Sequence, residues 1–471
     1  MFMETRSRRE FLTSLGVGAA SLAIPGPATS AGAGGKPPNI VFIMVDDMGY
    51  ADLGCYGSKV IETPRLDRMA EDGMRFTQAY SGCTVCAPAR STLMTGTHMG
   101  HTPVRGNTGG IPLPDGGVTV AEVLEQAGYA TGGFGKWGLG DLDTCGVPEK
   151  QGFDVFFGYY HQIHAHYYYP DYLVRNGEKV PLPGNERNNR GQYSHYLIFD
   201  ETLRFIRDHR DGPFFCYAPW TPPHGRYEIP ESDPAWHMYK DKQWPDKAKV
   251  AAAMNTMIDR HVGRLLDLVD ELGIEDNTIV FFCSDNGAAY RFENTLASSG
   301  PFRGCKRSMY EGGIRTPLIA RWPGKIEAGG TSDLPCYFPD ILPTLAELAG
   351  AESRVPDNID GVSIVPTLLG RGKQKTHEYM YWEWARYDWR KKEYEANGLM
   401  QAVRHGDWKL VRHKQDQLWE LYDLSKDSGE TNDIAAENPE LVERLDVWIE
   451  ENRVEPEPQI EPEKPKGKSY R

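Results

Sequence analysis

The chain has 471 residues, 40% hydrophobic and 25% charged, with a formal net charge of −14. That balance belongs to a soluble globular protein long enough for a large core and a second, smaller domain. The acidity argues against nucleic acid or an anionic membrane surface as the main partner, and eight cysteines without framework spacing argue against a disulfide scaffold or a thiolate zinc site.

In chain order, residues 1–35 read as a targeting segment. Arg8 and Arg9 stand before Phe11 and Leu12, the weakly apolar run SLGVGAASLAIPG follows, and the small-residue run PATSAGA closes the segment. This layout resembles a twin-arginine signal and outweighs the plainer reading of a basic tail. The apolar run is too short and glycine-rich for a permanent membrane anchor. The mature protein is therefore expected in a bacterial periplasm or secreted, carried out already folded by the twin-arginine export machinery.

Next comes NIVFIMVDD, a continuous apolar run of strand length and the pattern of a buried parallel strand. TPRLDRMAEDG reads as a helix with Thr63 as N-cap, Pro64 in first position and Gly73 as C-cap. Strand-like and helical runs then alternate: TVAEVLEQAG, YATGGFGKWG, HYLIFDETLRFIRDH, PFFCYAP, a long helix from Lys249, NTIVFFCSDNG, PLIARWPG and FPDILPTLAELAG. The expected fold class is α/β, a large mostly parallel sheet flanked by helices over 36–376. From His377 the pattern turns short and aromatic, predicting a small antiparallel sheet plus helix over 377–453. A Pro/Glu/Lys-rich tail over 454–471 is expected to be disordered.

Ligands of open α/β sheets gather beyond the carboxyl ends of strands. Two such ends carry Asp46–Asp47 and Asp285–Asn286. Adjacent strand residues face opposite ways, so each pair converges only where the chain leaves the sheet, and Gly49 and Gly287 are placed to allow that. Three carboxylates and an amide oxygen make a hard site for Ca²⁺, or Mg²⁺, rather than zinc. In TVCAPARSTLMTG, residues 84–96, Pro88 is expected to open a helix with Cys86 just outside its N-terminus and Arg90 on the same face. A plain reactive thiol is one reading of that placement. No histidine base stands beside it in sequence, and the carboxylate pairs would go unexplained.

The block CAPARSTLMTG resembles the signature of the sulfatase family, Cys-x-Pro-(Ser/Ala)-Arg followed by Leu-x-Thr-Gly. VDDMG, GKWGLG, APWTPPH, SDNG and GPFRGCKRSMYEGGIRTPLIARWPG extend the likeness, and VRHGDWKLVRH with ELYDLSKDSGE resembles the family's small domain. The resemblance runs from Asn39 to about residue 435 and implies an alkaline-phosphatase-like fold. It implies a sulfuric ester hydrolase in which Cys86 is oxidised to formylglycine by a maturing enzyme while the chain is unfolded. Asp46, Asp47, Asp285 and Asn286 match the metal ligands, usually for Ca²⁺, with Cys86 a further ligand and the nucleophile. Arg90, Lys136 and Lys306 match the cations that hold the aldehyde hydrate and the sulfate oxygens. His224 matches the general acid toward the leaving alcohol. One hydroxyl of the hydrate attacks sulfur, and the other lets the product collapse back to the aldehyde with release of sulfate.

Three departures from the family pattern stand out. Gly138 occupies the place of a histidine that assists the hydrate, with His98 or His101 as stand-ins; Thr97 replaces a basic residue; and Ala89 replaces the commoner serine. Sulfated carbohydrate, or an aryl sulfate as surrogate, is the expected substrate, because HQIHAHYYYP sets His161, His164 and His166 among aromatics. His98, His101, Arg105, His164 and His166 are candidate substrate contacts. Plain packing, a transition-metal site at the three histidines, and a buried structural arginine at Arg105 are the competing readings. A phosphomonoester or phosphonate hydrolase of the same superfamily would instead use Thr or Ser and two zinc ions. A degenerate sulfated-glycan-binding protein is favoured only by Gly138.

Overall fold

The computed structural model describes residues 36–457 apart from 290, 291, 389 and 392. The targeting segment and residues 458–471 lie outside the described residues. Ten strands form the main sheet: β1 (Asn39–Asp46), β2 (Met74–Phe76), β3 (Ala130–Lys136), β4 (Val155–Tyr159), β5 (Tyr172–Arg175), β6 (Glu178–Pro181), β7 (Phe214–Pro223), β8 (Thr278–Ser284), β9 (Leu318–Arg321) and β10 (Gly330–Ser332). Their order is β10-β2-β9-β8-β1-β7-β3-β4-β5-β6. The middle five, β8-β1-β7-β3-β4, are parallel; β9 and β5 run antiparallel to them on either side, and β6 pairs antiparallel with β5.

Strand β1 explains why the sequence forms this sheet. All eight of its residues are buried. Ile40, Phe42 and Met44 enter one apolar core and Val41, Ile43 and Val45 the other, as period-two alternation requires of a sheet covered on both faces. Each such side chain stabilises the fold by about 1.5–3 kcal/mol. One face is covered by α1 (Pro64–Glu71), α4 (Ser194–Asp208) and α5 (Asp246–Glu271), and the other by α2 (Cys86–Thr95), α3 (Val120–Gln126) and α6 (Ile341–Leu348). Thr63 precedes α1 as expected, but Asp72 rather than Gly73 occupies its C-cap.

A second sheet contains β11 (Met380–Asp388), β12 (Glu393–His405), β13 (Trp408–Arg412) and β14 (Glu420–Asp423), antiparallel throughout and followed by α7 (Pro439–Asn452). Its Trp382, Met400, Val403, Leu410 and Leu421 share the apolar core of the α2 face. Trp382 donates its indole N–H to the Ser81 carbonyl at 2.8 Å. The first residue of the tail is held by backbone hydrogen bonds. Val454 donates its N–H to the Gly100 carbonyl at 3.1 Å, and its own carbonyl accepts Arg105 Nη1 at 2.6 Å. Backbone hydrogen bonding there offsets the composition. Among the described residues no helix is long and apolar enough to cross a membrane.

Candidate active site

The carboxyl ends of the parallel strands converge. Asp46 ends β1, Lys136 ends β3, His224 follows β7 and Asp285 follows β8. At the end of β1 the register with β7 slips between Val45 and Asp46, and Asp47 adopts φ 68. That bulge and the left-handed residue turn both carboxylates into one space. Gly49 and Gly287 have another role than the one expected. Both have ordinary φ, but a Cβ would lie 2.4 Å from the Ser298 carbonyl oxygen or 2.1 Å from that of Gly312, so each permits close backbone approach.

Helix α2 begins at Cys86 itself, with extended Val85 as its N-cap, so Cys86 lies in the first turn rather than before it. Pro88 falls inside that turn, where its missing N–H has no partner to lose. Arg90, one turn on and fully buried, donates Nη2 to Asp285 Oδ2 at 2.8 Å and Nη1 to the Lys136 carbonyl at 2.5 Å. Cys86 Sγ lies 3.3 Å from Asp46 Oδ1 and 3.3 Å from Lys306 Nζ. Lys136 Nζ is 2.5 Å from Asp46 Oδ2, Lys306 Nζ bonds Asp47 Oδ1, and His224 Nε2 is 3.4 Å from Asp47 Oδ2.

Electrostatics sort these groups. Burial opposes ionisation of Asp46, but Lys136, His224, Arg90 and Lys306 together hold its carboxyl well below the usual range. Burial, reinforced by Asp46, pushes Asp285 up to about 6. Burial, then Asp285 and Asp46, pushes the Cys86 thiol far up, which disfavours a thiolate there.

The donor set fits a hard divalent cation. Asn286 gives its Nδ2 to Asp47 Oδ1 at 2.8 Å, which leaves its Oδ1 buried without a hydrogen-bond partner beside three carboxylates. Asp46, Asp47, Cys86 and His224 each bring a ligand atom within 4.8 Å of the others. Two of those four atoms are carboxylate oxygens, and the unpartnered Asn286 Oδ1 and the Asp285 carboxylate, which accepts the Asp47 N–H at 3.2 Å, bring further oxygens beside them.

These are the sequence-predicted residues brought together: Asp46, Asp47, Cys86, Arg90, Lys136, His224, Asp285, Asn286 and Lys306. His166 joins them, its ring 4.5 Å from that of His224. The other candidates go elsewhere. His98 and His101 stack at 4.2 Å and attach to Asp360, with His101 Nδ1 3.0 Å from Asp360 Oδ1, so neither stands in at Gly138. Arg105 pairs with Glu383 at 3.1 Å and bonds the carbonyls of Gly100, Thr102 and Val454, the structural alternative. His164 packs between Tyr159 and Tyr172 at 5.0 and 4.5 Å, a core position rather than a substrate contact. The sequence reading missed Gln162 and His413. His413 follows β13 and accepts the Met309 N–H at 3.0 Å, so the small sheet steadies the loop that carries Lys306. Neither had a motif to announce it.

With this geometry in place, comparison with known proteins is decisive. The sulfatase family profile matches residues 38–351, and that of the N-sulphoglucosamine sulphohydrolase C-terminal region matches 303–455. The chain belongs to the sulfatase family.

Human arylsulfatase A is 34% identical to this sulfatase over 454 residues, 87% of this chain and 86% of the relative. Mouse N-acetylgalactosamine-6-sulfatase is 32% identical over 448 residues, covering 86% and 79%. The solved structure of Ps i-CgsB in complex with k-i-k-neocarrahexaose superposes with a TM-score of 0.75 at 28% identity, covering 89% and 94%. Both named relatives are sulfuric ester hydrolases, and the fold is the alkaline-phosphatase-like fold of sulfatases.

Proposed function

We propose that this sulfatase hydrolyses sulfate monoesters of carbohydrates, with formylglycine derived from Cys86 as nucleophile and Ca²⁺ held by Asp46, Asp47, Asp285 and Asn286. The observation that carries the reading is the burial of Cys86 against Asp46 and Lys306, in a cluster where three carboxylates meet three cations. That cluster is balanced by itself. A bound divalent cation would supply two further positive charges, matching a sulfate ester monoanion and a deprotonated nucleophile. As formylglycine hydrate, residue 86 would supply an oxygen nucleophile that the raised thiol cannot.

The chain's own residues do the rest. Lys136 and Lys306 bind the sulfuryl oxygens, and Arg90, locked by Asp285 and the Lys136 carbonyl, holds the nucleophile's side of the site. Burial keeps His224 neutral in the absence of substrate, whereas an arriving ester anion favours its charged form, from which Nε2 protonates the departing alcohol. His166 lines the approach to His224.

A sugar substrate is supported by a cavity at Arg226, two residues along the chain from His224. It holds about 240 Å³ and is lined by Tyr167, Tyr169, Asn185, Asn189, Arg190 and Arg226. Arg226 lies 4.2 Å over the Tyr167 ring and Arg190 4.5 Å over that of Tyr169, a wall of ring faces and hydrogen-bonding groups suited to a sugar. A maturing enzyme during synthesis and export by the twin-arginine route belong to the same proposal.

The deciding experiment is the mass of the tryptic peptide carrying Cys86, from protein isolated from its host, together with sulfate release from sulfated oligosaccharides. A formylglycine mass with sulfate release is expected. An unmodified thiol in the exported protein would sink the mechanism.

A further inference from the structure

Gln162 presents an acceptor that no group in the described protein satisfies. Its side chain is 5% exposed, and Nε2 donates to Asn107 Oδ1 at 2.9 Å. That orientation is fixed by chemistry. Asn107 Oδ1 also accepts the Ala87 backbone N–H at 3.1 Å, so it is the oxygen of that amide, and Gln162 must turn its NH₂ toward it. Gln162 Oε1 therefore faces the other way, buried and without a partner.

It faces the niche opened by Gly138. A Cβ on Gly138 would lie 3.6 Å from Gln162 Oε1, 3.7 Å from Arg90 Cδ and 4.0 Å from Lys136 Cε. Gly138 has φ 81, a conformation that side-chain-bearing residues rarely adopt, so the backbone itself keeps the niche clear. Through Asn107, the same amide is tied to the residue after the nucleophile.

The chemistry of the niche restricts what can meet this oxygen. Sulfate ester oxygens carry no proton and would be repelled. Lys136 Nζ is paired with Asp46 and Arg90 Nη2 with Asp285, and Arg90 Nε, although buried without a partner, makes no hydrogen bond to this oxygen. A hydroxyl is the remaining donor. Resting on the formylglycine reading above, we propose that Gln162 Oε1 accepts a hydrogen bond from the hydroxyl of the residue-86 hydrate that does not attack sulfur, and so takes the place that Gly138 leaves open. No bond is made or broken in this step. An amide oxygen is too weak a base to remove the proton, so Gln162 is a positioning residue that favours hydrate over free aldehyde and aims the attacking hydroxyl.

The test compares wild type with Gln162→Met, which keeps the shape without the acceptor, and Gln162→Asn, too short to hold Asn107 and reach the hydroxyl together. Two readouts are taken on folded, metal-loaded protein: turnover of a small aryl sulfate, and the rate of oxime formation with methoxyamine, followed by the mass of the Cys86 peptide. With full conversion at residue 86, the variants are expected to lower kcat by roughly 10–100-fold with KM nearly unchanged, and to speed oxime formation about 5-fold. Oxime formation at the wild-type rate in either folded variant overturns the proposal, whatever happens to kcat, because a packing role would not move the hydrate–aldehyde balance. A thiol mass in the wild type overturns instead the reading on which it rests.

Discussion

Lys409 Nζ lies 2.9 Å from Glu311 Oε1, a fully buried ion pair that joins the small sheet to the main domain. Glu430 makes a second contact to Lys409 at 2.8 Å, and Glu311 Oε2 is shared by Tyr80 at 2.7 Å and Arg315 at 2.9 Å. Lys409→Met would leave two carboxylates facing each other out of water. The expected loss is about 3–5 kcal/mol, read as a lower urea midpoint. Adding Glu430→Gln removes one of those charges and should recover part of the loss.

Cys86→Ala should fold and fail. Its side chain is small and α2 is supported along its length, so the melting temperature should stay within a few degrees of wild type. Sulfate release should drop by at least about 10³-fold, as for removal of a nucleophile. Lys306→Met should retain conversion of Cys86 and lose roughly 10²–10³-fold in kcat. Turnover by either variant at the wild-type rate would exclude the assigned roles.

Asn286 gives a direct test of the proposed cation. Chelation should abolish turnover, and Ca²⁺ should restore it. Asn286→Leu removes the unpartnered Oδ1 and should weaken the Ca²⁺ dependence of thermal stability by about tenfold or more. Calcium titrations that superpose for wild type and variant would show that Oδ1 is not a ligand.

The two pairs at the strand ends were legible because their chemistry is local: an apolar run that stops in Asp46–Asp47 or Asp285–Asn286 states both its strand and its mouth. Cys86 and Arg90 were legible through helical spacing. Gln162 and His413 were not, since an amide in a loop and a histidine after a strand take their roles from partners 55 and 104 residues away. The stand-in role expected of His98 and His101 failed for the same reason: Asp360, 259 residues from His101, claims them. Strand β9 was recognised as a strand, but its antiparallel direction depends on the connection from β8, which apolar periodicity does not report.

Acid should destabilise the protein through its buried imidazoles. His195 Nε2 and His261 Nδ1 share a proton at 2.9 Å, and burial drives His195 down to about 3. Its folded value lies below the unfolded 6.5, so its stabilisation is fully present above pH 6.5 and is lost as pH falls toward 3. The loss approaches about 1.4 kcal/mol per pH unit over that window. Chemical denaturation should show stability falling from pH 7 to 4, and because burial lowers His98, His164 and His261 as well, His195→Phe should reduce the slope by about 1.4 kcal/mol per pH unit rather than remove it.

Cys86 is 1% exposed, and the Lys306 that closes over it stands 220 residues further along the chain. At ordinary translation rates of about 5–20 residues per second, those residues are separated by roughly 10–40 s. Any enzyme that must reach the thiol has that interval and the time the finished chain takes to fold. Slowing translation between the codons for residues 86 and 306 should lengthen the interval, whereas faster folding of the finished chain should shorten it. On the proposed formylglycine reading, timing as much as sequence then decides what fraction of molecules becomes active.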